Sequence, residues 1–509
     1  MLNSNPSSSR RIHSTDLSKS GPIVNLDNDT LWYIFSLNAN MELHFKQPED
    51  MVPALLTLRY ASQVCSNWRE LAIGSPSLWS RVLDVNLLSQ EGADWRNEVI
   101  RRTGTALLHV RASNGISSWP LAFYSLEWLL KAQWSRIRSL VLALEDLNYY
   151  TNKKIWIRLF ERPAPSLEIF KFLGRDKPGF VDARNFVLFS NTASSLRTLS
   201  VAHMKLDLNK FKTPNLCHLV IHSPVSVLDL LNALSHMQVL ESLETGSHKP
   251  FIPIQDTHNP LPVATVPRLT RIKFDNIVDC EEVSLSVLAH IIPARGCILK
   301  LFATYQQETP GDHADTILST YLTYYTAFIP VTDLELNLYG NLIFFEAGNP
   351  SKGFSFGLDS DIGDFPQHFA SILLSAFSTI GLTTIKTLTL NVSAKEAHPR
   401  KLTHILEFIL ALVSVEEFKS NFSTLNLLHD VLLSSEAVVF PRLKAMYLKW
   451  IYGPNPLSRV ADLVKRRIEL GVPPETLTIE VGPSASVQVE TLRNVCAVAG
   501  IDVQVVTTT

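Results

Sequence analysis

The chain has 509 residues, 46% hydrophobic and 18% charged, a balance that fits folded protein and excludes extensive disorder. That length exceeds what one compact core usually serves, so several domains or an elongated repeat array is expected. The formal net charge of −2, with the longest basic clusters at Arg101-Arg102 and Lys465-Arg466-Arg467, gives no electrostatic reason to bind nucleic acid or an anionic membrane.

Taken in chain order, residues 1–20 are rich in Ser and Asn and read as a disordered tail. Leu26, Leu31, Ile34 and Phe35 then fit a short helix with Asn25 or Asp27 as N-cap. The stretch near 38–50 is expected to be an inserted surface loop. Leu58, Ala61, Cys65, Trp68 and Ala72 recur at steps of three and four, with Val64 and Leu71 widening the stripe, which predicts one continuous helix. Gly74 is expected to end it at positive φ, and Ser75-Pro76 forbids continuation, so Leu78 and Trp79 belong to a separate short element. These helices are too few for a core of their own. DWRNEVIRRTG reads as a further helix with Arg101 and Arg102 in its last turn, complementing the macrodipole, and Gly104 as its stop. ALLHVR, from Ala106, is expected to be the first strand.

From about residue 105 the chain keeps returning to an apolar-x-x-apolar-x-apolar phrase, starting at Ile137, Leu167, Leu196, Leu216, Leu269, Val331, Ile385 and Leu443, with weaker copies at Leu240, Ile298 and Val415. Most phrases precede a segment with helical spacing, such as LDLLNALSHMQVL, TILSTYLTYYTAF or VADLVKRRIELG. Strand then helix, repeated, resembles the leucine-rich repeat in an irregular form. The resemblance implies an α/β solenoid over 105–509, with parallel strands and helices on the convex side. Its rival is an α/β domain with a flat parallel sheet. Asn341 to Asp364, rich in Gly and Phe, fits neither repeat nor helix and is expected to be a long loop or an extra hairpin.

The order of residues in the first part resembles the F-box, in the form abundant in mushroom-forming fungi. There a Leu-Pro-x-Glu-Leu-Leu-x-x-Ile-Phe opening precedes Val-Cys-x-x-Trp-x-x-Leu-Ala and a Pro-x-Leu-Trp close. Here Leu26, Leu31, Ile34 and Phe35 match the opening, while Asp27 and Asp29 replace its Pro and Glu. Val64, Cys65, Trp68, Leu71, Pro76, Leu78 and Trp79 match the remainder. The resemblance implies a helical F-box-like domain over 21–104 that docks on a Skp-type adaptor of a cullin-RING ubiquitin ligase through these eleven residues. It implies in turn that the repeats hold the client protein. Alternation along the strands nominates the outward positions His218, His222, Arg271, Lys273, Asp275, Asp333, Glu335, Asn337, Tyr339, Tyr447 and Lys449 as that client surface, with Arg271 and Tyr339 as anchors on one patch.

Chemistry of the chain's own is not indicated. There is no phosphate loop, nucleophile elbow, dinucleotide fingerprint or HExxH, so no catalytic residue, cofactor or metal site is nominated. His218 and His222 could share a metal on a helix, but their phrase is a strand, along which four residues span about 13 Å. The five cysteines, at 65, 217, 280, 297 and 496, form no CxxC pair, which points to a reducing compartment. With no apolar leader and no run of 18 apolar residues, the expected location is cytoplasmic, nuclear or both, away from membranes. The competing functional readings are a leucine-rich-repeat scaffold engaged in no ligase, which Asp27 favours, and an enzyme with dispersed residues.

Overall fold

A computed structural model describes residues 26–41, 52–90, 92–113, 119–144, 153–174, 181–182, 187–202, 204–246, 251–252, 260–278, 281–305, 314–339, 342–348, 353–360, 373–374, 377, 382–392, 399–434, 438–451, 456–481 and 486–507. The chain splits into two compact units, Met1–Val141 and Leu142–Thr509. Most of the 38–50 insertion lies outside the described residues.

The first unit begins with helices α1 (Asn28–Asn38), α2 (Ala54–Ala61), α3 (Ser66–Ile73) and α4 (Pro76–Trp79). Asp27 caps α1, accepting from the Thr30 amide and hydroxyl, both at 2.8 Å. The single helix expected through Leu58 and Ala72 is broken. Cys65 lies at φ −154°, ψ 173°, an extended conformation that separates α2 from α3 although the apolar spacing runs on across it. Gly74 ends α3 at φ −73°, not at positive φ. Its missing side chain matters for another reason: a Cβ there would lie 2.8 Å from the Glu70 carbonyl oxygen. Leu31, Phe35, Leu55, Leu58, Ala72, Leu78 and Trp79 are buried, so this module does have a core. Trp79 is its keystone, donating from Nε1 to the Ala72 carbonyl at 2.7 Å.

Strand β1 (Leu83–Asp84), helix α5 (Val85–Leu88), helix α6 (Asp94–Arg102), strand β2 (Leu108–Ser113), helix α7 (Trp119–Gln133) and strand β3 (Ile137–Leu144) follow. The first strand is therefore the two-residue β1, which pairs with β2 in parallel, Leu83 beside Val110. Its two residues are too short a run for periodicity to reveal. Gly104, at φ +51°, follows α6 as the sequence suggests. The Arg102 guanidinium lies 4.4 Å from the Trp79 ring centroid, and Arg136 donates to the Ala106 carbonyl at 2.7 Å.

The second unit is mixed α/β, built on a large, mostly parallel sheet. Its elements are α8 (Lys153–Phe160), β4 (Ile169–Gly174), β5 (Val181–Asp182), β6 (Thr198–Ala202), β7 (Met204–Lys205), β8 (His218–His222), β9 (Val225–Ser226), α9 (Val227–His236), β10 (Ser242–Thr245), β11 (Phe251–Ile252) and β12 (Ala264–Thr265). Next come β13 (Arg271–Val278), α10 (Glu281–Ala289), β14 (Ile291–Ile292), β15 (Ile298–Tyr305), α11 (Ala314–Thr326), β16 (Asp333–Tyr339), β17 (Leu342–Ala347) and β18 (Phe354–Ser360). The last are β19 (Thr387–Val392), α12 (Pro399–Ala411), β20 (Glu417–Asn421), α13 (Phe422–Ser434), β21 (Ala445–Ile451), α14 (Pro456–Glu469), β22 (Thr476–Val481), α15 (Ser486–Val498) and β23 (Asp502–Thr507).

Every apolar phrase read from Leu167 onward lies on a strand. The long strands align in the order β4-β6-β8-β10-β13-β15-β18-β17-β16-β19-β20-β21-β22-β23. The register stacks like on like: Leu199, Leu219, Leu243, Ile272 and Leu299 are successive partners, each fully buried. The closest pair of phrases, at Leu196 and Leu216, pairs in parallel, and the described residues between them form the two-residue β7 and a 3₁₀ turn at Leu208–Lys210 with no α-helix, as so short an interval requires.

One expectation fails. The sheet is not wholly parallel, because β17 runs antiparallel between β16 and β18. The chain leaves β15, crosses through α11 to a position three strands away, and returns through β17 and β18 to fill the gap. Asn341 to Asp364 is thus the extra hairpin where it is described, with Gly340-Asn341 between the partners Tyr339 and Leu342. The meander buries its own aromatic cluster, in which Phe345 meets Phe356 at 5.5 Å and Phe377 at 4.7 Å. Two further strands, β22 and β23, and helices α8, α13 and α15 continue the pattern beyond what the phrases marked.

Candidate docking surfaces

In the first unit the eleven residues nominated for adaptor docking divide by exposure. Ile34, Val64, Cys65 and Pro76 are exposed, and Leu26, Trp68 and Leu71 are half-buried. Leu31, Phe35, Leu78 and Trp79 are buried, so they shape the surface from beneath and offer no side chain to a partner. The reason is geometric: on α1, Leu31 and Phe35 stand one turn apart on the inner face, where Phe35 meets Trp68 edge to face at 5.1 Å. Tyr33, Ile34 and Leu37 occupy the opposite strip and are 59%, 37% and 54% exposed. Tyr60 at 56% and Val64 at 63% add apolar surface beside the break between α2 and α3. Tyr33, Leu37 and Tyr60 were not nominated, although their spacing from Ile34 and Val64 was open to view. The hydrogen bonds from Thr30 hold the Asp27 carboxyl below its ordinary range, so the residue that replaces the motif's Pro is an anionic cap.

In the second unit every nominated client residue takes the outward position of its strand. His218 and His222 lie on β8, both out of the core, and the His222 ring hydrogen-bonds the Gly246 carbonyl at 3.0 Å. Lys273 on β13 is held between Glu244 at 3.1 Å and Asp275 at 2.9 Å, while Arg271 is exposed. From β19, Asn391 donates to Asn337 on β16, and Asn337 donates to Glu335, each at 2.7 Å, an amide ladder ending on a carboxylate. Tyr447 lies under the Lys419 ammonium, 5.5 Å from its centroid, and Lys449 is exposed. Asp333 is exposed, and burial with the nearby Glu335 carboxylate pushes the Tyr339 phenol up.

The structure does not bring Arg271 and Tyr339 onto one patch. Strands β15, β18 and β17 all lie between β13 and β16, so the separation is roughly 19 Å at about 4.8 Å per strand. The meander instead supplies outward residues that were missed. Phe302 and Phe344 stack at 6.2 Å across Gly357, whose lack of a side chain makes room for them. Glu346 stands directly opposite Glu335 in the antiparallel register. Burial, with Glu335 adding to it and Lys300 opposing, raises the Glu346 carboxyl. The period-2 alternation in LIFFEA and FSFGLDS was the signal for these residues.

Among the described residues no group of three His, Cys, Asp or Glu side chains could hold a metal ion, and no helix is long and apolar enough to cross a membrane. Neither a scan against protein-family models nor a search of curated proteins finds a match to this chain.

Proposed function

We propose that the chain is the substrate-recognition subunit of a Skp-cullin-F-box type ubiquitin ligase. In this reading residues 21–104 are an F-box-like domain that docks on the adaptor. Residues 105–509 are an irregular leucine-rich-repeat solenoid, helices on its convex side, whose outward strand residues hold the client. The role is positioning, with no covalent step, no cofactor and no metal of its own, in the cytoplasm or nucleus.

The observation that supports it best is the exposed apolar strip of Tyr33, Ile34 and Leu37 on α1, with Val64 and Tyr60 nearby, on a module that already has a core. Aliphatic and aromatic side chains left in water on a small helical module mark a protein contact. The F-box resemblance names the kind of partner. A scaffold reading draws on Asp27, since an anionic N-cap stands where the motif has Pro. Co-expression with a Skp-type adaptor, followed by size-exclusion chromatography, separates the two. Co-elution supports the ligase reading, and separate elution of two folded proteins ends it in favour of the scaffold.

A further inference from the structure

The charge run Lys465-Arg466-Arg467 closes α14, where the macrodipole alone accounts for cations, yet Arg467 does not face water. It is 6% exposed. Its guanidinium donates to the Val439 carbonyl at 2.7 Å and the Phe440 carbonyl at 3.0 Å, in a turn where Phe440 takes φ +50°. Two neutral carbonyls satisfy part of the donor fork and none of the charge. Among the described residues no carboxylate pairs with Arg467, and Arg466 pairs only with Glu469, at 3.5 Å. The Nε atoms of both arginines are shut off from solvent without a hydrogen-bond partner. A buried cation in this condition is costly, and burial alone pulls the Arg467 guanidinium down to about 10.

Arg466 and Arg467 line a cavity of about 40 Å³ whose other walls are Phe418, Val439, Leu443, Met446, Leu463 and Leu470 among its apolar residues. That volume holds two or three waters, and its walls offer them little to bond. It also accommodates a carboxylate group carrying a single methyl. A planar carboxylate matches the side-on face of a guanidinium with two parallel hydrogen bonds; a phosphate dianion can pair in the same way, but it would carry a second, uncompensated charge into an apolar cavity.

We infer that this cavity is a binding site for a small aliphatic carboxylate, its oxygens on Arg467 and its hydrocarbon against Leu463 and Met446. The site is independent of the ligase reading, since it needs neither adaptor nor client. Isothermal titration of the purified chain with sodium acetate, at constant ionic strength, tests it against the isosteric neutral amide acetamide and against sodium phosphate. The expected result is saturable 1:1 binding of acetate alone, weakened ~10-fold or more in Arg467→Lys, which keeps the charge and loses the fork. Leu463→Trp, which fills the cavity and leaves both arginines, should abolish it. Arg467→Lys removes a support of the 439–440 turn, so if it fails to fold, the wild-type contrast and Leu463→Trp decide. No saturable heat with acetate, equal binding of acetamide, or undiminished binding by folded Leu463→Trp would each overturn the assignment.

Discussion

Placing aspartate at Ile34 and Val64 together separates docking from folding. In the free protein Ile34 is 37% and Val64 63% exposed, so each still has apolar surface for a partner to cover. Full burial of an aliphatic side chain contributes about 1.5–3 kcal/mol, so the remaining fractions contribute roughly 2 kcal/mol between them. Burying an unpaired carboxylate in the contact adds about 2 kcal/mol or more for each. The double variant should therefore lose about 6 kcal/mol or more of adaptor affinity, over ten-thousandfold. Its own stability should move by only about 0.5 kcal/mol per site, as exposed substitutions do. Co-purification with the adaptor and a thermal melt, run on the same sample, read the two quantities. Wild-type adaptor recovery by the folded double variant would refute the docking surface. Leu31→Asp is no substitute: Leu31 is 1% exposed, so a charge there unfolds the module and lost binding would say nothing about contact.

Trp79→Phe should cost about 1–3 kcal/mol by denaturant melt, since it removes the indole donor from the Ala72 carbonyl, which keeps the weaker Ser75 amide at 3.3 Å, and leaves a void; an unchanged midpoint would show that the indole N–H bond is dispensable. Two glutamates should give opposite pH signatures. Arg101 and Arg102 lower Glu98 to about 2 from an ordinary 4.5, so its contribution is present above pH 4.5 and lost as pH falls toward 2. Being 35% exposed, Glu98 should contribute no more than about 1 kcal/mol, and Glu98→Gln should match wild type near pH 2. Glu346 is raised by burial and by Glu335, so Glu346→Gln should melt higher than wild type at pH 7, with the advantage gone below pH 4.5; a lower melting temperature at pH 7 would contradict the like-charge pairing. Gly357→Ala sets a Cβ 2.7 Å from a Phe302 ring carbon and should destabilise by about 1–3 kcal/mol, with normal stability meaning that the Phe302 and Phe344 stack swings aside freely.

What could be read from the sequence follows from which physical signal each feature leaves. Parallel strands buried on one face repeat the same apolar positions, so Leu199, Leu219, Leu243 and Ile272 announced themselves before their alignment was visible. Period-2 alternation likewise fixed which side chains point outward, and all eleven nominated client residues do. Alternation carries no information about lateral order, however. An antiparallel strand inserted between β16 and β18 leaves every phrase intact while moving Tyr339 away from Arg271. The break between α2 and α3 was invisible for a related reason: a 3,4 spacing survives an extended residue at Cys65, because periodicity records where apolar side chains recur and not the φ and ψ between them. Motif matching has its own blind spot. Leu78 and Trp79 belong to the motif as firmly as Ile34 and Val64, yet a motif lists residues needed to build a surface alongside residues that form it, and only burial separates the two. Arg467 is the same lesson in charge. A run of cations at a helix end reads as solvated, and what sets this one apart is the turn at Phe440, whose carbonyls draw the guanidinium inward to where no described residue neutralises it.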